Sequence, residues 1–269
     1  MTDAAPAPEA AKAAEINQPP RSQWWDVWVQ FRSHKGALFG LFFFIFALLL
    51  VTVGPLLWTL DPQQPFVGPR NGGMSWAHPL GTDQLGRDTL ARMIMGGQTS
   101  IAVGVTAMLL ALVLGTLVGV VAGYFKRWDG PLMRLTDLFL AVPLLPLLLV
   151  IISLFRDSLR GAFGPEGGIF VLIVVVIGAT SWMQTARVVR GDVLALKERE
   201  FVVAARSIGT TSGSIIMRHL LPNVMSSIMV SATLGIANAI ITESALSFLG
   251  LGFPSDFPTW GRLLFDATD

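Results

Sequence analysis

Apolar stretches near or above 20 residues recur along this chain from Ala37 onward, and they constrain its fold more than any other feature. About 20 apolar residues in an α-helix cover the hydrocarbon core of a bilayer, and a helix satisfies its own backbone groups there. Composition agrees, with 14% charged residues where a soluble domain carries roughly 25%. Lys and Arg exceed Asp and Glu by one, so no basic field for nucleic acid exists. The chain has no cysteine, which excludes disulfides, thiolate metal sites and cysteine nucleophiles.

Residues 1–20 are rich in Ala, Pro and Glu and read as a disordered tail, without the apolar run of a signal peptide. Residues 21–36 place Trp24, Trp25, Trp28 and Phe31 among basic residues. They read as an interfacial helix or as a plain aromatic and basic anchor. A first span is expected over 37–58, then a polar loop over 59–98. Residues 99–269 hold the remaining core, with spans over 99–125, 132–155, 169–186 and 224–248. A cytoplasmic loop occupies 187–223. The segments 1–36, 126–134 and 187–223 carry 13 of the 19 Lys and Arg, and the opposite connections carry 6. The positive-inside rule therefore puts the N-terminus and 187–223 in the cytoplasm and 78–88 outside.

Ala107, Ala111, Gly115, Gly119 and Gly123 repeat every fourth position, a small-residue face against which another helix can pack closely. In the loop over 187–223, Glu200 to Ile208 suits a short helix and Gly209 its left-handed stop. Thr210, Thr211, Ser212 and Ser214 offer N-caps for a second helix, and Pro222 suits the first turn of the next span. The product is a bracket jutting from the membrane, either a docking knob or an ordinary solvated loop.

These residues carry a resemblance. Glu200-Phe-Val-Val-Ala204-Ala205-Arg206-Ser207-Ile-Gly209, with Leu221-Pro222 beyond, is similar to the cytoplasmic loop of ABC-importer permeases, although Glu200 stands four residues before Ala204. Arg218-His-Leu-Leu-Pro-Asn223, His78-Pro-Leu-Gly81-Thr-Asp83-Gln-Leu-Gly86-Arg87-Asp88 and Glu243-Ser-Ala-Leu-Ser-Phe-Leu-Gly-Leu-Gly252 resemble the dipeptide, oligopeptide and nickel branch. The resemblance implies an all-α integral membrane protein, the transmembrane domain of a type I ABC importer, in the bacterial inner membrane. Five spans are present, and a sixth is expected to be missing at the C-terminus.

It also implies that Glu200, Phe201, Ala204, Ala205, Arg206, Ser207, Gly209 and Pro222 belong to the element coupled to an ATPase. ATP and Mg would be bound by two partner ATPase subunits, with no cofactor on this chain. A second permease subunit, an extracytoplasmic solute-binding protein and the lipid bilayer complete the partners, and the chain itself is expected not to be an enzyme. Peptides lead as solute, ahead of nickel complexes and other small solutes.

The motif His78, Gly81, Asp83, Gly86, Arg87, Asp88 has two readings. One is a structural clasp, with turns at the glycines and Arg87 paired to both aspartates. The other is part of a surface that receives the binding protein. A metal site on His78, Asp83 and Asp88 fits no established ligand spacing. Glu243 is expected near the outer end of its span, within reach of water, and Asn238 deeper, bonded between helices. Pro143 and Pro146 are expected to kink the third span. An ion-coupled carrier would need intramembrane charges or paired broken helices, and a membrane enzyme a convergent acid, base or nucleophile set; neither pattern stands out. No Walker glycine loop occurs in the sequence.

Overall fold

The computed structural model describes residues 23–254 and 256–268. The tail expected over 1–20 lies outside the described residues. The chain divides into two units, Met1–Val53 and Gly54–Asp269. In the first, α1 spans Gln23–Ser33 and stacks Trp28 on Phe31 at 6.0 Å. The helix α2, Lys35–Leu57, starts in this unit. Its 23 residues reach about 34 Å, enough to cross a bilayer.

In the second unit, residues 58–88 form an irregular segment closed on itself. Phe66 and Val67 donate backbone bonds to Leu85 and Gly86, and Thr82 to Gly72. The helices then follow as α3 (Thr89–Tyr124), α4 (Lys126–Ala141), α5 (Leu144–Phe163) and α6 (Pro165–Leu196). Next come α7 (Glu200–Ser207), α8 (Ser212–Ile215), a π-helical turn over Ile216–Leu220, α9 (Leu221–Phe248) and α10 (Trp260–Asp266). No strand occurs among the described residues beyond an isolated bridge between Thr82 and Asp88.

The pair α3 and α6 forms the spine. A Cβ on Gly115 would stand 2.6 Å from the Trp182 carbonyl oxygen, and one on Gly119 2.7 Å from that of Ala186. One on Gly123 would stand 2.8 Å from Val193 Cβ. These three glycines let the two backbones meet, and their partners rise in step, so α3 and α6 run parallel. In lipid, where apolar side chains gain little by leaving the solvent, such close backbone contact supplies the packing.

Parallel neighbours need a return crossing, which α4 and α5 provide. Asp129 of α4 pairs with Arg190 near the C-terminal end of α6, at 2.5 Å. Phe163, ending α5, lies beside Thr99 and Glu166 near the starts of α3 and α6. The segment expected as a proline-kinked span over 132–155 is two helices, α4 and α5, bent by 87° at Val142–Pro143. Pro143 has no N–H and disfavours helical backbone at Val142, and both residues are extended, with ψ 129° and 117°. Pro146 sits in the first turn of α5, where a missing N–H breaks no bond.

Helix α9 returns antiparallel to α3, with Val224 packed in the cluster that holds Val120 and Ile240 against Gly104. Among the described residues, four helices are long and apolar enough to cross a membrane, or five with the bent pair as one crossing. Two boundaries differ from expectation. The polar loop ends at Asp88, not at residue 98, because Asp88 Oδ1 accepts the Ala91 N–H at 2.7 Å and caps α3. The polar segment 187–223 begins as helix, since α6 continues to Leu196 along α3, and Lys197 Nζ donates to the Gly123 carbonyl at 2.9 Å.

Candidate functional site

The 36 residues of α3 reach about 54 Å, and a distinct arrangement occupies each end. At its C-terminal end sits the bracket. Val202 and Ala205 of α7 are buried with Val120, Val189 and Val193. The other face of α7 is open, displaying Glu200, Phe201, Ala204, Arg206 and Ser207, with Ile208 84% exposed just beyond. Of the two alanines of the bracket, Ala204 is exposed on this face, while Ala205 is buried and packs the helix onto the ends of α3 and α6. Three-residue spacing from buried Val202 puts Ala205, not Ala204, on the inner stripe.

Gly209 closes the bracket with φ +82°. Its N–H donates to the Arg206 carbonyl and that of Thr210 to Ala205, the paired bonds of a Schellman stop. Thr211 occupies the N-cap of α8 without a side-chain bond, and Pro222 the first turn of α9. The Arg206 guanidinium stands 6.0 Å from the Tyr124 ring, tying the bracket to the last turn of α3.

The clasp gathers at the N-terminal end. Arg87 Nε donates to Asp83 Oδ2 at 2.7 Å, while the Leu85 and Arg87 amides both donate to Asp83 Oδ1 at 2.9 Å. Burial alone would raise the Asp83 carboxyl. The hydrogen bonds and charge of Arg87, with the Leu85 amide, outweigh burial and hold it below the ordinary aspartate range. Gly81 and Gly86, at φ +74° and +72°, make the two bends.

Asp88 does not pair with Arg87, which corrects half of the expected clasp. It accepts from the Trp58 indole at 2.9 Å and meets His78 Nδ1 at 2.8 Å while capping α3. Both carboxylate oxygens of Asp88 are thus committed to Trp58, Ala91 and His78. Among the described residues, no group of three or more His, Cys, Asp or Glu is placed to hold a metal.

The sequence reading missed the rest of this cluster. Arg92, fully buried, bonds Asp266 at 3.0 Å and lies 3.4 Å from Asp83 without hydrogen-bond geometry. Arg87 also stands 4.0 Å from Asp266, so α10 is fastened to the clasp by charge, and Arg262 pairs with Asp266 within α10 at 2.9 Å. An Arg inside the first turn of an apolar helix was the signal available. Glu243 needs a correction of another kind. It is fully buried, accepting from Ser100 Oγ at 2.9 Å and Ser247 Oγ at 2.7 Å, while the Trp260 amide donates to Ser100 at 3.2 Å. The start of α10 covers the end of α9 and shuts out the water its position predicted.

A cavity of about 540 Å³ lies at mid-depth, walled by Met108 of α3, the α4–α5 break, Gln184 of α6 and Asn238 of α9.

Comparison with known proteins places this architecture. The profile of the binding-protein-dependent transport system inner membrane component matches residues 111–267, and that of the N-terminal transmembrane domain of oligopeptide transport permease C matches 22–71. The oligopeptide transport system permease protein OppC of Bacillus subtilis is 35% identical over 261 residues, covering 97% of this chain and 82% of that one. The dipeptide transport system permease protein DppC of Alkalihalophilus pseudofirmus is 36% identical, covering 94% and 82%. The glutathione transport system permease protein GsiD of Pectobacterium atrosepticum is 35% identical, covering 92% and 79%. With a profile spanning more than half its length, and membrane-crossing helices to match, this chain is a multi-pass inner-membrane permease of the binding-protein-dependent transport family, in the peptide branch of the ABC importers.

Proposed function

We propose that this chain forms half of the translocation path of an ATP-driven peptide importer and is driven through α7 by a separate ATPase. The observation that carries the reading is the two-sidedness of α7. Its inner stripe is anchored on the ends of α3 and α6, and its outer face offers the apolar surface of Phe201 and Ala204, continued by Ile208 just beyond. A rigidly seated helix with such a face suits insertion into a groove on another protein. Force applied there reaches the close-packed α3–α6 spine directly, and ATP-driven closure of the partner would shift the bundle between two arrangements.

The family supplies the rest: a second permease, two ATPases that hold ATP and Mg, and a solute-binding protein. The α7 end is cytoplasmic, with the N-terminus on the same side, and the clasp faces the binding protein. Peptides are the proposed solute, since the relatives are named for oligopeptides, dipeptides and glutathione.

Ala204→Glu tests the coupling. The side chain is exposed, so the bundle should fold and insert normally, while ATP-dependent uptake and co-purification of the ATPase should each fall by about tenfold or more, the effect of a charge at the centre of a docked face. Undiminished uptake by Ala204→Glu would remove α7 from the coupling path.

A further inference from the structure

The geometry points to the cavity at the α4–α5 break as a hydrogen-bonding station for the peptide backbone, with Gln184 and Asn238 as its positioning residues. This rests on the importer reading and adds what the path recognises.

Depth comes first. Met108 lies 20th of the 36 residues of α3, Gln184 20th of the 32 of α6 and Asn238 18th of the 28 of α9. The cavity is therefore far from either end of the crossing helices. Gln184 and Asn238 are exposed, and among the described residues neither side-chain amide makes a hydrogen bond. An amide left unpaired against hydrocarbon would be costly, so these two face a wet or solute-filled space. The bent helix agrees, since interrupted helix at this depth is tolerated where it lines a cavity.

Chemistry comes next. Thr180, Ser181, Ser231 and Thr242 add hydroxyls, Leu144 and Leu234 add apolar wall, and among the described residues no Asp, Glu, Lys, Arg or His lines the space. A side-chain amide presents one carbonyl and one NH₂, the complement of the C=O and N–H that every peptide carries. A fixed charge would hold one class of peptide and reject another. Uncharged amides bind the shared backbone weakly enough to release it, as a conducting site requires. The volume of about 540 Å³ is within the range of small-ligand pockets. The station is thus built to pass peptides of differing side-chain charge.

The test uses the whole importer, with its second permease, ATPases and binding protein, and measures uptake of an acidic and a basic dipeptide. Asn238→Leu and Gln184→Leu should each lower uptake of both peptides by about tenfold, the loss of one hydrogen bond of ordinary strength. Peptide affinity of the binding protein should not change, and Asn238→Gln should restore uptake. Asn238→Asp should depress the acidic-to-basic uptake ratio severalfold by like-charge repulsion. Gln184→Glu should do the same, which covers the case where one variant fails to assemble. Wild-type uptake with Leu variants at full rate, or with an unaltered ratio in both acidic variants, overturns the station alone. Absence of ATP-dependent peptide uptake by the wild type overturns the importer reading and the station with it.

Discussion

At the scale of the residue, this protein depends on side chains that are absent as much as on those present. Gly119 has the Ala186 carbonyl oxygen 2.7 Å from where a Cβ would stand, and a backbone atom cannot swing aside as a side-chain tip can. Gly119→Val should therefore push α6 away from α3 and destabilise the bundle by about 1–3 kcal/mol, as overpacking does. A lowered unfolding temperature of the detergent-solubilised protein would register it, and an unchanged one would mean the spine tolerates a wider spacing. The sequence made this site legible, because a small residue every fourth position has one common use in lipid. Glu243 was not legible. Helical rise located it correctly near the end of α9, but Ser100 and Trp260, which cover it, come from elements distant in sequence.

At the scale of the element, the sequence was dependable where a helix is continuous and weaker where tertiary contact decides. Apolar runs marked each crossing, yet α3 and α6 extend beyond theirs because Asp88 caps one and the Asp129–Arg190 pair supports the other. The two prolines announced a bend over 132–155 without its size. Pro143→Ala restores an N–H and relaxes the restriction on Val142, so α4 and α5 should approach one continuous helix and narrow the cavity beside Val142 and Leu144. Spin labels near residues 130 and 155 should then report a longer separation, and uptake should drop. An unchanged separation would show that packing on α6, not the proline, sets the 87° angle.

At the scale of the whole molecule, the bracket and the clasp stand at opposite ends of one helix, so they belong on opposite sides of any membrane that α3 crosses. The cysteine-free sequence allows a direct check. Gly213 in the bracket and Gly73 in the segment before the clasp are both exposed with open space around them. An impermeant thiol reagent added to intact spheroplasts should label Gly73→Cys and spare Gly213→Cys, and inverted vesicles should reverse the pattern. Labelling of both from one side would contradict the proposed orientation.

What the sequence alone determined is whatever depends on local order. The crossings, the glycine stop of the bracket, the small-residue face and the resemblance to importer permeases all follow from residue type and spacing along one segment. Only the tertiary structure decided which alanine of the bracket faces outward, which acid pairs with Arg87, that Glu243 is sealed from water and that a cavity opens at the helix break. Each of these depends on a surface contributed by a segment far along the chain, and spacing within a segment carries no record of which neighbour will cover it.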